Sequence, residues 1–367
     1  MNRGTARYPL LEIDLDKLKA NLAALIERCQ SLSVEVTGVV KGFSALPEAA
    51  GVYTECGVRS LASSRLSQLR ALRGAGVACE RVLIRIPMLS ELPEVAEVAD
   101  MSLQSELETL RALNAVCAKR GTRHRVILMA DLGDLREGFW SREELVDAAL
   151  EVEYKLDHLE LAGVGTNLGC YGSVAATPEK LRELVSAAEA VERAIGRELQ
   201  YISGGASTSV HMVLDGTLPA RVNHLRIGEF ALLGGIYGCF LRRDVFTLRM
   251  EVVECKPKPS YPVGELTVDA FGKTREYTDR GIRRRALCAA GRVDYGDPFD
   301  LTPRLAGVEV LGASSDHTIL DVEDAAVPVR LGDVLDFGVS YGSLVYLTNT
   351  PEVRIVYRKG GRLYTAE

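Results

Sequence analysis

Several polar residues stand where short apolar runs of the chain end, and their types could do chemistry together. Lys41 closes the run VEVTGVV (34–40) and puts an amine at its end. SGGASTS (203–209) follows another run; Gly204 and Gly205 let backbone approach a ligand, and Ser207 and Thr208 add hydroxyls at a helix start. Backbone amides at such a terminus carry partial positive charge and suit a phosphate. Arg226 ends HLRI (224–227), and Asp131 and Arg136 follow HRVILMAD (124–131). Guanidinium groups only donate hydrogen bonds and keep their charge, so they suit carboxylate, phosphate or ring-nitrogen acceptors. Each feature has an ordinary counterpart. A lysine beyond a strand is commonly a solvated charge, SGGASTS also reads as a glycine turn with a serine cap, and Arg226 has Glu229 and Asp131 within reach as ion-pair partners. The combination of amine, phosphate turn and arginine at corresponding run ends points to one site.

The elements that must position these residues alternate. Apolar runs too short and too β-branched for helices lie at 34–40, 58–62, 81–86, 101–104, 124–131, 159–166, 200–203 and 224–227. Between them lie helical stripes such as Leu66, Leu69, Leu72 and Leu107, Leu110, Leu113. The clearest helix spans 178–196, with Thr177 as N-cap and Pro178 in the first position; a further one spans 14–29 behind Asp14. Strands alternating with helices make parallel units. An open doubly wound sheet would show the same alternation, but a count of eight favours a (β/α)8 TIM-like barrel over residues 11–240. Its chemistry would then sit at the C-terminal strand ends, with Ser63, Arg85, Ser105 and Asn167 completing the rim. After about residue 240 the pattern turns to period-two alternation, which predicts a C-terminal mostly-β domain over 241–367.

Composition bounds the rest. With 44 Lys and Arg against 50 Asp and Glu, the formal charge of −6 argues against a nucleic-acid or anionic-membrane partner. Eight cysteines without a Cys-x-x-Cys pair, and five histidines without a cluster, predict no metal site and free thiols in a reducing cytoplasm. The N-terminal MNRGTARYPLLEIDLDK carries charge where a signal peptide needs its apolar stretch, and no run approaches a membrane span. A soluble, cytoplasmic protein is expected.

The same segments resemble the alanine-racemase-type pyridoxal-phosphate enzymes, and within them the ornithine/lysine racemase branch. EIDLDKLKANL is similar to that family's first helix, VTGVVKG to its cofactor-lysine strand, DLGDLREG to its substrate-side arginine segment, and ISGGASTS and NHLRIGE to its phosphate loop and pyridine-contacting arginine. RIPMLSE, DAFG and EVLGASSDHTILDV look like the ornithine branch in particular, and the likeness runs nearly end to end. The resemblance implies pyridoxal 5'-phosphate as cofactor, carried by Lys41, with Asn167, Ser207, Thr208, Arg226, Gly228 and Glu229 around it. Arg136 would hold the substrate carboxylate or the cofactor's phenolic oxygen, and Ser315 and Asp316 would lie on the substrate side. It also implies a homodimer with shared active sites, whose β domain takes in residues 1–10. The activity implied is interconversion of L and D amino acids, ornithine or lysine ahead of alanine, by two-base α-proton transfer.

Two departures stand out. Alanine racemases have a phosphate-touching tyrosine shortly after the cofactor lysine, where this chain has Ala45. Their second base is a tyrosine of the β domain, and GELTVDAFG (264–272) has none; Asp269 is nearest that place, with Asp316 and Tyr277 in reserve. Two other functions on this fold stay open at this stage. One is an amino-acid decarboxylase or other lyase using a cysteine such as Cys170 or Cys288. The other is a non-catalytic pyridoxal-phosphate homeostasis protein, against which the β domain counts.

Overall fold

The structure is a computed structural model that describes residues 7–234, 240–268, 271–272, 274 and 276–366. It divides into two compact units, one comprising Leu18–Arg242 and the other Met1–Lys17 with Arg243–Glu367. β1 (Leu10–Asp14) belongs to the second unit.

In the first unit, β2 (Glu35–Val39), β3 (Ser60–Ser63), β4 (Glu80–Leu83), β5 (Met101–Gln104), β6 (His124–Met129), β7 (Leu159–Gly165), β8 (Tyr201–Ser203) and β9 (His224–Ile227) form a closed parallel barrel. Closure is the pairing of the first strand with the last, Glu35 opposite His224 and Thr37 opposite Arg226, which an open sheet would lack. Successive strand residues face opposite sides. Thus Val39, Ala62, Val82, Met101, Leu103, Ile127, Met129, Ala162 and Tyr201 fill the interior, while Leu61, Leu83, Leu128, Leu225 and Ile227, also fully or almost fully buried, alternate with them. Each of the valine, leucine, isoleucine and methionine side chains contributes about 1.5–3 kcal/mol by leaving water. The Pro178–Ile195 helix begins where the Thr177 hydroxyl accepts the Lys180 amide at 3.3 Å and ends at Gly196 in the left-handed region. In Leu15–Ser31, the cap is Asp14, whose Oδ1 accepts the Lys17 amide at 3.1 Å.

The second unit is a sheet of β10 (Phe246–Pro259), β11 (Ile282–Cys288), β12 (Leu301–Pro303), β13 (Glu309–Ala313), β14 (Thr318–Asp321), β15 (Val334–Val339), β16 (Arg354–Lys359) and β17 (Arg362–Tyr364) together with β1. The path runs β13-β14-β11-β10-β1-β16-β17, with β15 joining β10 to β12. β1 lies antiparallel to β10 and parallel to β16. Its Glu12, only 6% exposed, is gripped by Arg358 through Oε1 and sits 3.1 Å from Arg249 through Oε2. The period-two alternation expected after residue 240 is not strand throughout. β15 stops at Val339, and the Ser340 hydroxyl caps a short helix, Tyr341–Leu347, by accepting the Ser343 amide.

Candidate active site

At the C-terminal end of the barrel, Val40, with φ of −99° and ψ of 1°, ends the extended backbone of β2, and Lys41 begins a 3-10 turn, Lys41–Phe43. Ser44 and Ala45 follow with φ of 53° and 52°, both in the left-handed region although neither is glycine. Such conformations cost roughly 1–2 kcal/mol each and are kept where the surroundings fix them. Among the described residues no hydrogen bond or ion pair engages the Lys41 amine. Burial holds its pKa below the ordinary lysine value, and the nearby Arg136 guanidinium adds to the shift, while Cys170 and Glu137 oppose it.

Arg136 lies on the loop after β6. It donates to both oxygens of Glu137 and, through Nη1, to Cys170 Sγ at 2.7 Å. The Asn167 amide oxygen, turned toward it, accepts from the same Nη1 at 2.8 Å. The hydrogen bonds with Glu137 raise the Arg136 pKa above its normal value, so its charge is permanent. Two aspartates shape these loops from inside. Asp131 accepts the amides of Gly133 and Leu135 at 2.9 and 3.1 Å. Asp134, 1% exposed, accepts those of Cys170 at 3.3 Å and Val174 at 3.1 Å. The loops after β6 and β7 are therefore one tied assembly.

The loop after β8 holds the phosphate-type turn. Gly205 has φ of +111°, a conformation that excludes side chains, and its carbonyl accepts the Arg226 amide at 3.0 Å. Ser207 Oγ collects the amides of Gly228 and Phe230 at 3.2 Å each, and Thr208 donates to the Leu168 carbonyl at 2.9 Å. Glu229 is half-buried, and burial raises its pKa. Arg226 itself is 4% exposed. Its anticipated ion pair with Glu229 or Asp131 does not form. Asp131 is occupied by its own turn, and no salt bridge joins Arg226 to a carboxylate among the described residues. Nη1 instead donates to Ser203 Oγ and Nη2 to the Thr166 carbonyl at 2.6 Å. Burial brings its pKa down to about 10, which still leaves it cationic at neutral pH.

Lys41, Arg136, Asn167, Ser207, Thr208, Arg226, Gly228 and Glu229 therefore belong to the loops and strand ends of one barrel face. Ser315 and Asp316 belong to the other unit, hydrogen-bonded to each other at 2.7 Å on the turn between β13 and β14, as does Tyr277, whose ring meets Tyr261 edge-on. Asp269 lies outside the described residues. Glu137, Thr166 and Ser203 hold these arginines without any mark in the sequence beyond the adjacency of Glu137 to Arg136.

Residues 13–235 match the family model described as alanine racemase, N-terminal domain. The chain is 39% identical over 343 residues to ornithine racemase of Acetoanaerobium sticklandii, covering 92% of this chain and 96% of that protein. It is 34% identical to lysine racemase of Thermotoga maritima, covering 95% and 98% respectively. The chain belongs to the alanine racemase family. It is accordingly an amino-acid racemase dependent on pyridoxal phosphate. Alanine racemases of Clostridium difficile and Streptomyces lavendulae share its fold with TM-scores of 0.74 and 0.75 at 18% and 21% identity, covering 99% and 97% of this chain and 98% of each of those chains. Among the described residues no helix is long and apolar enough to cross a membrane. The side chains fit the cofactor on physical grounds: Arg226 is buried with only neutral hydrogen-bond acceptors, the Glu137 charge reaches it without a hydrogen bond and is already paired with Arg136, and an anionic, aromatic group bound beside it relieves the cost of burying its charge.

Proposed function

We propose that this cytoplasmic enzyme racemises a basic amino acid, ornithine ahead of lysine, as a homodimer with shared active sites. The observation that carries the substrate is the 39% identity to ornithine racemase over nearly the full length of both chains. In this reading Lys41 carries pyridoxal phosphate. Ser207, Thr208 and Gly228 hold its phosphate, with Asn167 and Glu229 nearby, and Arg226 faces its ring nitrogen. The bound cofactor supplies a conjugated ring that spreads the charge left when the α-proton departs. Lys41, its pKa lowered by burial, holds or returns that proton on one face. Asp269 serves the other face. Arg226 only donates, so it supplies the ring nitrogen with charge but no proton, which restrains side reactions. Arg136, fixed by Glu137 and Asn167, orients the substrate carboxylate or the phenolic oxygen, with Ser315 and Asp316 on the substrate side.

Incubation with single enantiomers of ornithine, lysine and alanine, followed by chiral chromatography and amine detection, tests this. The expected result is loss of chirality fastest with ornithine and no amine product. Amine formation would make the enzyme a decarboxylase instead, and inactivity on all three alongside retained cofactor would support the homeostasis role.

A further inference from the structure

Arg226 is one end of a continuous buried run of hydrogen bonds. Ser203 Oγ accepts from Arg226 Nη1 and lies 2.7 Å from His224 Nδ1. His224 Nε2 lies 2.8 Å from Thr37 Oγ1, which lies 2.6 Å from Ser60 Oγ. Thr37, Ser60, Ser203 and His224 are each at most 2% exposed. They come from β2, β3, β8 and β9, brought together where the barrel closes. The Tyr201 ring, its centroid 4.5 Å from that of His224, packs against the imidazole.

One donor assignment satisfies every member of this run. A guanidinium cannot accept, so the Ser203 oxygen accepts from Arg226, and its single proton is then free to go to His224 Nδ1. The neutral ring then carries its proton on Nε2 and donates to Thr37, which donates to Ser60. Every acceptor that Arg226 uses, the Ser203 hydroxyl and the Thr166 carbonyl, is uncharged. A carboxylate in either place would hold the side chain as well but would cancel its charge and share its proton.

We propose that His224 is a positioning residue: acting through Ser203, it orients Arg226 with neutral acceptors alone, so that the arginine presents its whole charge to the cofactor ring. This rests on the placement of Arg226 against the ring proposed above. In the reverse ring tautomer, with the proton on Nδ1, Ser203 would accept from both His224 and Arg226 and its own proton would have no partner in the run, loosening its hold. Thr37, with its own proton given to Ser60, favours the first by offering Nε2 only an acceptor.

Nitrogen NMR of 15N-histidine-labelled holoenzyme reads the tautomer directly, and absorbance and equilibrium dialysis read the bound cofactor. The wild type and Thr37→Ser should show His224 protonated on Nε2. Thr37→Val, which keeps the shape but not the acceptor, should bring up the Nδ1-protonated form, shift the cofactor absorbance and weaken cofactor binding roughly tenfold. Ser203→Ala should weaken it similarly. His224 protonated on Nδ1 in the wild type would overturn the proposal, as would unchanged absorbance and affinity in both Thr37→Val and Ser203→Ala. Arg226→Lys, run in parallel, separates the two layers. If it moves the absorbance while Thr37→Val and Ser203→Ala do not, the relay alone fails. If Arg226→Lys changes neither absorbance nor affinity, the placement of Arg226 fails and the proposal with it.

Discussion

Replacing Gly165 with alanine would add one methyl group at the C-terminal end of β7. Its Cβ would lie 3.1 Å from Ser203 Cβ, 3.2 Å from Ile127 Cγ2 and 3.4 Å from Arg226 Nη1. Gly165 is not among the residues with positive φ, so alanine fits the backbone itself. The unfolded chain loses entropy on the change, which favours folding by roughly 0.4–1 kcal/mol. Overpacking against neighbours that must yield a few tenths of an ångström costs roughly 1–3 kcal/mol. The net expectation is a loss of about 1–2 kcal/mol, or about 3–6 °C in the melting of the barrel. Because the displaced neighbours are Ser203 and Arg226, cofactor affinity should fall as well. Gly163 provides the contrast. A Cβ there would lie 2.2 Å from the Tyr201 carbonyl oxygen, in the backbone of the paired strand, where no side chain can move aside. Gly163→Ala should therefore cost more than about 4 kcal/mol and leave little soluble protein. Thermal unfolding by circular dichroism and equilibrium dialysis of the cofactor measure both variants. Gly163→Ala as stable as Gly165→Ala, or Gly165→Ala with unaltered cofactor affinity, would refute this account of the β7–β8 contact.

Other expectations concern charge. His124 and His224 are buried neutral, with burial pushing their pKa values down to about 4 and about 3 from 6.5. The unfolded chain binds protons at these positions below pH 6.5 while the folded one does not, so stability is full above that value and falls as the pH drops through 6.5 toward 4 and 3. Denaturant unfolding at pH 7 and pH 5 should show a loss of about 2 kcal/mol per histidine, and a pH 5 loss no smaller in His124→Gln than in the wild type would contradict this. Glu12→Gln, which removes the carboxylate that Arg358 grips and leaves Arg249 with Asp336 alone, should cost about 3 kcal/mol in urea unfolding; a neutral result would mean that solvent reaches this cluster. Asp269→Asn should keep its cofactor yet lose racemisation by roughly 10² or more. Mixing it with Lys41→Ala should restore up to about a quarter of the sites if each site draws on both subunits, and no recovery in verified heterodimers would remove Asp269 from a shared site.

The barrel was legible because closed parallel strands are apolar on both faces and helices carry a different period. Thr177 with Pro178 marked a helix start, and Lys41, Arg136, Ser207 and Arg226 stood out as polar residues at strand ends. What holds those side chains was not legible. His224 and Thr37 are 187 residues apart, and only closure of the last strand on the first brings them together. In sequence both read as polar residues on strands. Arg226 drew attention to Glu229 and Asp131 because carboxylates are its customary partners, whereas its actual acceptors are a serine hydroxyl and a backbone carbonyl, which carry no sequence signature. The helix after β15 escaped because Ser340, its cap, sits in a stretch whose alternation continues the strand pattern.

The place of β1 bears on how the protein is made. β1, which precedes the barrel strands in the chain, lies between β10 and β16, inside a sheet whose other members follow the barrel. At about 5–20 residues per second, β1 waits tens of seconds for β16 to emerge. Until then the second unit cannot complete its sheet, although the whole of Leu18–Arg242 has already been released. Deleting β1 would leave β10 and β16 with facing unpaired edges, a template for joining other chains. Loss of a strand that precedes the barrel would therefore be felt as aggregation of segments that follow it.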